Sequence, residues 1–351
     1  MAPRAFEPSS RPLCAATYFA AGIVLFVVLC AHAASDDSRP SLADGPPHGD
    51  ARRPETDDEL RYWLTNMLVD HHFTVAEASA ATGLSADEIA AAVERWSIMK
   101  PLHRPTENSP AVLKLLQYPG GRHPRIGFLD GAIRPQRETK FSAFLPWDAD
   151  QYVVVDIPEA IWIAKGEGRE LLYLAHTHVP TMWTRQGISL EPLEWIRSDD
   201  DSLRIERQLP NGVVFGAAVV PTRDAVRMHL WITNGTDKTL RGLTVQNCVM
   251  LKGATEFNSL NNDNKLFRDP FVGCRNEGGD RWIITAWEHC MRAWGNAPCP
   301  CMHSDPQFPD CAPGETQRLD GWLSFYEGTD FDSELRRIAR LNWRDGAKSK
   351  D

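Results

Sequence analysis

The fold turns on residues 226–253, Val-Arg-Met-His-Leu-Trp-Ile-Thr-Asn-Gly-Thr-Asp-Lys-Thr-Leu-Arg-Gly-Leu-Thr-Val-Gln-Asn-Cys-Val-Met-Leu-Lys-Gly. Val226–Thr233 and Leu243–Leu251 are rich in β-branched and long apolar side chains, which suit a pleated, half-buried surface. Asn234-Gly-Thr-Asp-Lys238 between them is turn chemistry. The same rhythm runs through the chain beyond Tyr118. It predicts strands at Arg125–Leu129, Lys140–Leu145, Tyr152–Ile157, Leu171–Val179, Leu203–Leu209, Val213–Val219, Arg281–Trp287 and Leu319–Tyr326. Leu209-Pro-Asn-Gly-Val213 holds the Asn-Gly pair that favours a tight hairpin. Pro313-Gly-Glu315 turns the chain before the last run. Strands at this spacing argue for a sandwich or barrel rather than alternating β-α units. The expected fold class is mainly β, with one large antiparallel β-sandwich over residues 119–330.

Upstream, the hydrophobic period changes to that of a helix. Leu60, Trp63, Leu64, Met67 and Leu68 recur at helical spacing, and Thr56-Asp-Asp-Glu59 is a capping-box start. Thr74 is placed to cap a second helix, Gly83 to close it and Ser85 to cap a third. A helical module is therefore predicted over 57–99. Its 73–96 segment resembles the helix-turn-helix unit of bacterial DNA-binding proteins, most closely at Ala80-Ala-Thr-Gly-Leu-Ser85. A DNA reader needs a basic recognition helix. Here that helix carries Asp87, Glu88 and Glu94 against Arg95, which leaves a structural helical cap, or docking of an envelope partner, as the module's expected role. Helical spacing returns at Phe331–Trp343 and defines a C-terminal helix within 331–345.

Residues 1–33 read as an export signal. Arg4 and Arg11 precede the apolar run 18–30, and Ala31-His-Ala33 is a small-x-small cleavage pattern. The apolar run is short for a span of about 20 residues; an uncleaved N-terminal anchor is the rival reading. Residues 34–56, rich in Asp, Ser, Pro and Gly, read as a flexible linker. The expected location is periplasmic or extracellular. The chain has 351 residues and a formal charge of −9. Removing 1–33 takes away Arg4, Arg11 and Glu7 and makes that −10. Such a charge excludes nucleic acid as an expected partner and gives no reason to expect membrane contact beyond the signal. Cys248, Cys274, Cys290, Cys299, Cys301 and Cys311 remain, an even set that outside the cytoplasm predicts disulfides.

Val226–Gly253 and Cys311–Gly328 resemble the galactose-mutarotase-like β-supersandwich. The first matches the family's strand–turn–strand leading into the sugar site, and the second its late Pro-Gly-Glu turn into a final strand. The resemblance implies that fold, a carbohydrate or sugar-acid ligand, and a sugar-contacting place for Asn247. It departs from the family where a catalytic histidine is usual, because Gln246-Asn247-Cys248 stands there. Segments 121–140 and 299–311 also look like exported bacterial proteins that have no assigned activity.

Several constellations offer chemistry. His176-Thr-His178 lies in a predicted strand, so both imidazoles share a face. They are candidates to shuttle protons, to bind sugar hydroxyls, or to hold a divalent metal with a third ligand. Segment 121–138 supplies Arg125 and Arg137 as forks for carboxylate or hydroxyl groups, and Glu138 as a carboxylate partner. Cys299-Pro-Cys301-Met-His303 invites a zinc reading. The export signal favours disulfides instead, with Cys290 and Cys311 as partners of Cys299 and Cys301. That stapled loop would present His303 and Asp305. The polar loop 257–265 offers Asn264 to a sugar. The expected function is carbohydrate binding or processing in a polar cleft of the sandwich. His176, His178, Glu138 and Asp305 would be acid–base groups of an epimerase, lyase or hydrolase type. Arg125, Arg137, Asn247, Asn264 and His303 would bind the substrate. No cofactor is expected beyond the optional divalent metal at His176 and His178. The competing expectations are a non-catalytic envelope scaffold and a metal-dependent enzyme.

Overall fold

The computed structural model describes residues 51–98, 112–125, 137–175 and 179–344. The export signal, His176 and His178 lie outside the described residues.

Two antiparallel sheets face each other. The first runs β1 (Leu115–Gln117), β2 (Lys140–Leu145), β3 (Asp148–Lys165), then β9 (Thr244–Met250), β14 (Cys301–Pro306) and β13 (Cys290–Asn296), with β4 (Gly168–Leu174) paired to the far half of β3. The second runs β10 (Lys265–Arg268), β11 (Phe271–Arg275), β12 (Arg281–Trp287), β15 (Thr316–Glu327), β8 (Ala225–Thr233), β7 (Val214–Pro221), β6 (Leu203–Gln208) and β5 (Ile196–Arg197). Between them lies one apolar core, to which the first sheet gives Phe141, Val153, Val155, Val245, Val249 and Met302 and the second Ile205, Phe215, Leu230, Ile283 and Leu323.

The predicted turns do different jobs. Leu209–Val213 closes the β6–β7 hairpin, with Gly212 at φ +87 and its N–H donating 2.9 Å to the Leu209 carbonyl. Asn234–Lys238 instead carries the chain out of β8 in the second sheet toward β9 in the first. The two strong strands of 226–253 are therefore real, but they are not partners.

Strand alternation explains why some runs look continuously apolar. In β6 buried and exposed residues alternate strictly, because one face meets solvent. In β3, residues 152–161 are buried on both faces. Val153, Val155 and Ile157 join the inter-sheet core, while Tyr152 and Val154 meet the helices on the outside.

Those helices are α1 (Asp57–Leu64), which continues as a π-helical turn to Asp70, α2 (Val75–Thr82) and α3 (Ala86–Trp96). Each starts on a complete capping box, at Thr56, Thr74 and Ser85, and α2 ends at Gly83 with φ +71. Trp63, Leu64, Met67, Phe73, Ala78 and Ile89 pack with Phe144, Tyr152, Val154, Cys248, Met250 and Cys301 of the first sheet in one cluster. His71 sits at that contact. Its Nδ1 lies 2.9 Å from the Asn66 carbonyl and its Nε2 2.7 Å from the Ser142 hydroxyl. Arg52, at the end of the predicted linker, donates to Glu194 at 2.7 Å and to the Leu193 carbonyl at 2.7 Å. The opposite outer face, on the second sheet, is covered by α4 (Phe331–Ala339).

Candidate functional site

The ladder between β9 and β14 is short: only Cys301↔Met250 and Met302↔Val249 are paired. Beyond it, side chains take over the backbone groups. His303 Nδ1 lies 2.8 Å from the Asn247 carbonyl, so Nδ1 carries a proton and donates. Asp305 Oδ1 accepts from the Asn247 N–H at 3.2 Å. Its Oδ2 accepts from Trp294 Nε1 at 2.6 Å and from Arg292 Nη2 at 3.0 Å. The Trp294 indole stacks on the His303 ring, with centroids 4.1 Å apart and planes 13° from parallel.

This framework fixes the imidazole and turns Nε2 toward Cys301 Sγ, 3.4 Å away. Cys248 completes the group. Its Sγ, Cys301 Sγ and a His303 ring nitrogen all lie within 4.8 Å of one another, and all three residues are buried. Cys248 beside it, and then His303, hold the Cys301 thiol below its ordinary value despite burial. Burial opposes charge on His303, but Asp305 and Cys301 outweigh it and raise its pKa to about 9. Burial pushes Cys248 well up. The cluster thus favours charge on Cys301 and His303 and disfavours it on Cys248.

Arg125 stands next to this group. Its charge acts on Cys248, Glu159, Cys301 and Cys299. Its Nη2 donates to Glu159 Oε1 at 3.3 Å, and Gln246 Nε2 donates to Glu159 Oε2 at 2.9 Å. Five residues singled out from the sequence therefore meet on β9, β14 and their surroundings: Arg125, Asn247, Cys301, His303 and Asp305. Asn247 contributes its backbone. Alternation turns its side chain inward with Val245 and Val249, where both amide atoms are buried without a partner.

Others lie elsewhere. Arg137 is buried against α2 and the Trp63 ring, its guanidinium carbon 4.0 Å from the ring centroid. It donates to Pro119 O at 2.6 Å and to Glu194 at 3.0 Å. Glu138 accepts from Tyr173 Oη at 2.9 Å and from Arg207. Both belong to an ion-pair network tying the helical module and Arg52 to the sandwich. Asn264 braces its own loop, taking Lys265 Nζ at 3.3 Å.

The expected disulfides are not made. All six described cysteines are free thiols. Cys290 opens β13, where it accepts from the Ser304 hydroxyl at 3.4 Å, and Cys311 donates to the Glu315 carbonyl at 3.3 Å. Neither is the neighbour of Cys301; Cys248 is. The reason is that 301–306 is a paired strand rather than a stapled loop.

A second feature of the same outer face is a cleft of about 210 Å³, lined by Tyr118, Arg122, His123, Tyr152, Val154 and Lys252 among others. Arg122 is clamped in place. It donates from Nε and Nη2 to Glu77 at 2.5 and 2.7 Å, from Nη1 to Tyr152 Oη at 3.1 Å, and lies over the Phe73 ring. Gly121 makes this possible: a Cβ there would stand 2.4 Å from the Glu77 carbonyl. Sequence reasoning passed over Arg122, Tyr152 and Lys252, because nothing in their spacing shows that segment 118–124, β3 and the end of β9 enclose a space between them.

No protein-family model matches the sequence, and no curated protein matches it. Among solved structures, the Slr1438 protein from Synechocystis sp. PCC 6803 overlaps 66% of this chain and 100% of its own, at 11% identity and TM-score 0.33. A protein from Escherichia coli K12 named for aldose 1-epimerase overlaps 50% of this chain and 84% of its own, at 13% identity and TM-score 0.32. One from the human microbiome named for kojibiose phosphorylase overlaps 56% of this chain and 26% of its own, at 7% identity and TM-score 0.32. Overlaps this slight carry no function across.

Proposed function

We propose that this is an exported protein that binds a small carbohydrate, a sugar acid in particular, in the cleft between segment 118–124 and the outer face of the first sheet. The supporting observation is the composition of that cleft: two tyrosines and three basic side chains on a chain of formal charge −9. Tyr118 and Tyr152 give the cleft an apolar wall, and Tyr152 Oη, which accepts from Arg122 Nη1, keeps its own proton to donate to a sugar hydroxyl. Arg122 is held rigid by Glu77, so it loses little freedom on contact with a ligand. That ion pair is self-neutralising, which leaves Lys252 to attract a carboxylate. At about 210 Å³ the cleft falls below the roughly 300–1,000 Å³ usual for drug-sized ligands. A single sugar unit fits that scale better than a chain of them. The export part of the reading rests on the basic, apolar and small-residue succession in residues 1–33.

The test is thermal unfolding of the full chain with uronic acids and with matched neutral sugars. Saturation at 100 times Kd adds about 2.7 kcal/mol of apparent stability. The expected result is a rise in Tm with the acids, smaller with the neutral sugars and lost in Lys252→Ala. Equal or absent shifts at millimolar ligand would overturn the reading.

A further inference from the structure

We propose that Cys248, Cys301 and His303 form a binding site for a thiophilic d10 cation of the zinc class. The inference is independent of the sugar reading, because it concerns different side chains and a different ligand.

The first support is distance. Bonds of about 2.3 Å to sulfur and 2.0–2.1 Å to nitrogen, at tetrahedral angles, place a sulfur and a nitrogen ligand about 3.6 Å apart. Cys301 Sγ and His303 Nε2 are 3.4 Å apart, and Cys248 Sγ lies within the same 4.8 Å group. For the Cys301–His303 pair a cation needs an adjustment of a few tenths of an ångström, and for Cys248, which tetrahedral geometry wants about 3.6–3.8 Å from the other two, a shift of about 1 Å at most.

The second support is the surroundings of the histidine. A metal-binding imidazole ordinarily donates its other N–H to a carbonyl or carboxylate, which fixes the tautomer and aims the lone pair. Here Nδ1–H is spent on the Asn247 carbonyl at 2.8 Å, and Trp294 holds the ring plane from one side. Trp294 is itself tied to Asp305. The donor atoms sit on strands β9 and β14 rather than on loops, so their spacing is set by the sheet.

The donor set names the class of ion. Two thiolates and an imidazole suit zinc and other soft or borderline cations; magnesium and calcium require oxygen. Binding releases the protons now shared among the three groups. Two thiolate charges then neutralise a dication, which limits the cost of holding charge in a buried place.

The test uses the full chain purified with reduced thiols. Elemental analysis should find one zinc per chain. Cobalt(II) titration should give a thiolate-to-cobalt charge-transfer band and the intense visible bands of a tetrahedral ion. Cys248→Ser, Cys301→Ser and His303→Gln should each weaken binding by more than the roughly 10–100-fold that loss of a hydrogen-bond partner behind a ligand costs. Cys274→Ser and Cys311→Ser, also buried but outside the group, should keep full stoichiometry. The wild-type titration decides the matter even if a ligand variant fails to fold. A folded, reduced wild-type chain that takes up neither ion at tens of micromolar overturns the proposal, and so does binding that survives all three ligand substitutions. A Cys248–Cys301 disulfide found by mass spectrometry in the protein isolated from its own compartment overturns it as well.

Discussion

The two outer faces of the sandwich are both capped by helices, and the caps are built from different materials. On the second sheet, α4 brings Phe331, Leu335 and Ile338 down on Phe271, Trp282, Ile284 and Trp322, and Trp343 closes the edge. Phe331 stacks on Trp282 with centroids 4.3 Å apart, in the space left by Gly273. On the first sheet, the module brings apolar residues too, but polar groups run through the contact: His71 to Ser142, Arg122 to Glu77 and Tyr152, Lys114 to Asp70. A dry cap needs only shape and volume. A wet cap needs every buried group paired, which makes its stability depend on solution conditions. The candidate chemistry lies under the wet cap and around it.

The largest expected effect breaks the dry side. Phe331→Ala should cost about 3–5 kcal/mol, the usual range for a buried aromatic truncated to alanine. Urea unfolding would show it as a lower midpoint. Metal stoichiometry and sugar-acid response should be unchanged in the folded fraction. A change in either would mean that the two faces are coupled through the core.

The second effect separates the caps by pH. Burial lowers the His71 pKa from 6.5 to about 3. Its folded pKa lies below its unfolded one, so the unfolded chain takes the proton first on acidification. The contribution is complete above about pH 6.5 and is lost progressively as pH falls toward 3. At 1.36 kcal/mol per unit, the loss by pH 5 is about 2 kcal/mol. The difference in stability between wild type and His71→Phe, followed from pH 7.5 to 5, should shrink by that amount. A difference independent of pH would show that His71 is not held neutral, and the polar character assigned to this cap would fail.

The sequence shows the dry side and the inter-sheet core plainly, and the wet side only in part. Runs such as Arg281–Trp287 and Lys140–Leu145 appear as strands with the boundaries expected, because apolar patterning alone decides them. The three helix starts are equally legible, since a capping box is a local code. By contrast β14 reads Cys-Met-His-Ser-Asp-Pro. Its polar residues replace apolar patterning, its Pro306 with Pro298 and Pro300 just before it looks like loop punctuation, and Cys301 with the nearby Cys299 invites pairing. Yet Cys301-x-His303-x-Asp305 is itself an alternation, with three functional groups on one face of a strand. That period was the available signal. The partner Cys248 lies 53 residues upstream of Cys301, and only the sheet order β9–β14 brings it close. Arg125, Asn247, His303 and Asp305 were identifiable as residue types worth watching. Their meeting on one patch was not, because it follows from long-range pairing.

The smallest effect compares the caps through their helix starts. Thr74 and Asp330 both accept a hydrogen bond from the third residue of the helix that follows, at 3.2 Å from Glu77 N and 2.9 Å from Ser333 N. Removing such an oxygen at Thr74 should cost about 1 kcal/mol. The two differ in what lies beyond. Glu77 Oε2 also accepts from Thr74 N at 2.8 Å and Thr74 Oγ1 at 3.1 Å, and the same carboxylate clamps Arg122. Asp330 starts α4, which packs on the second sheet and not on the segment that carries Arg122. Thr74→Ala should therefore speed amide hydrogen exchange at residues 118–125, whereas Asp330→Ala should leave that segment unchanged. Faster exchange there in both variants would mean that the loosening spreads through the sandwich. The clamp on Arg122 would then lose its claim to be a local property of the wet cap, because a capping bond on the far sheet would reach it as well.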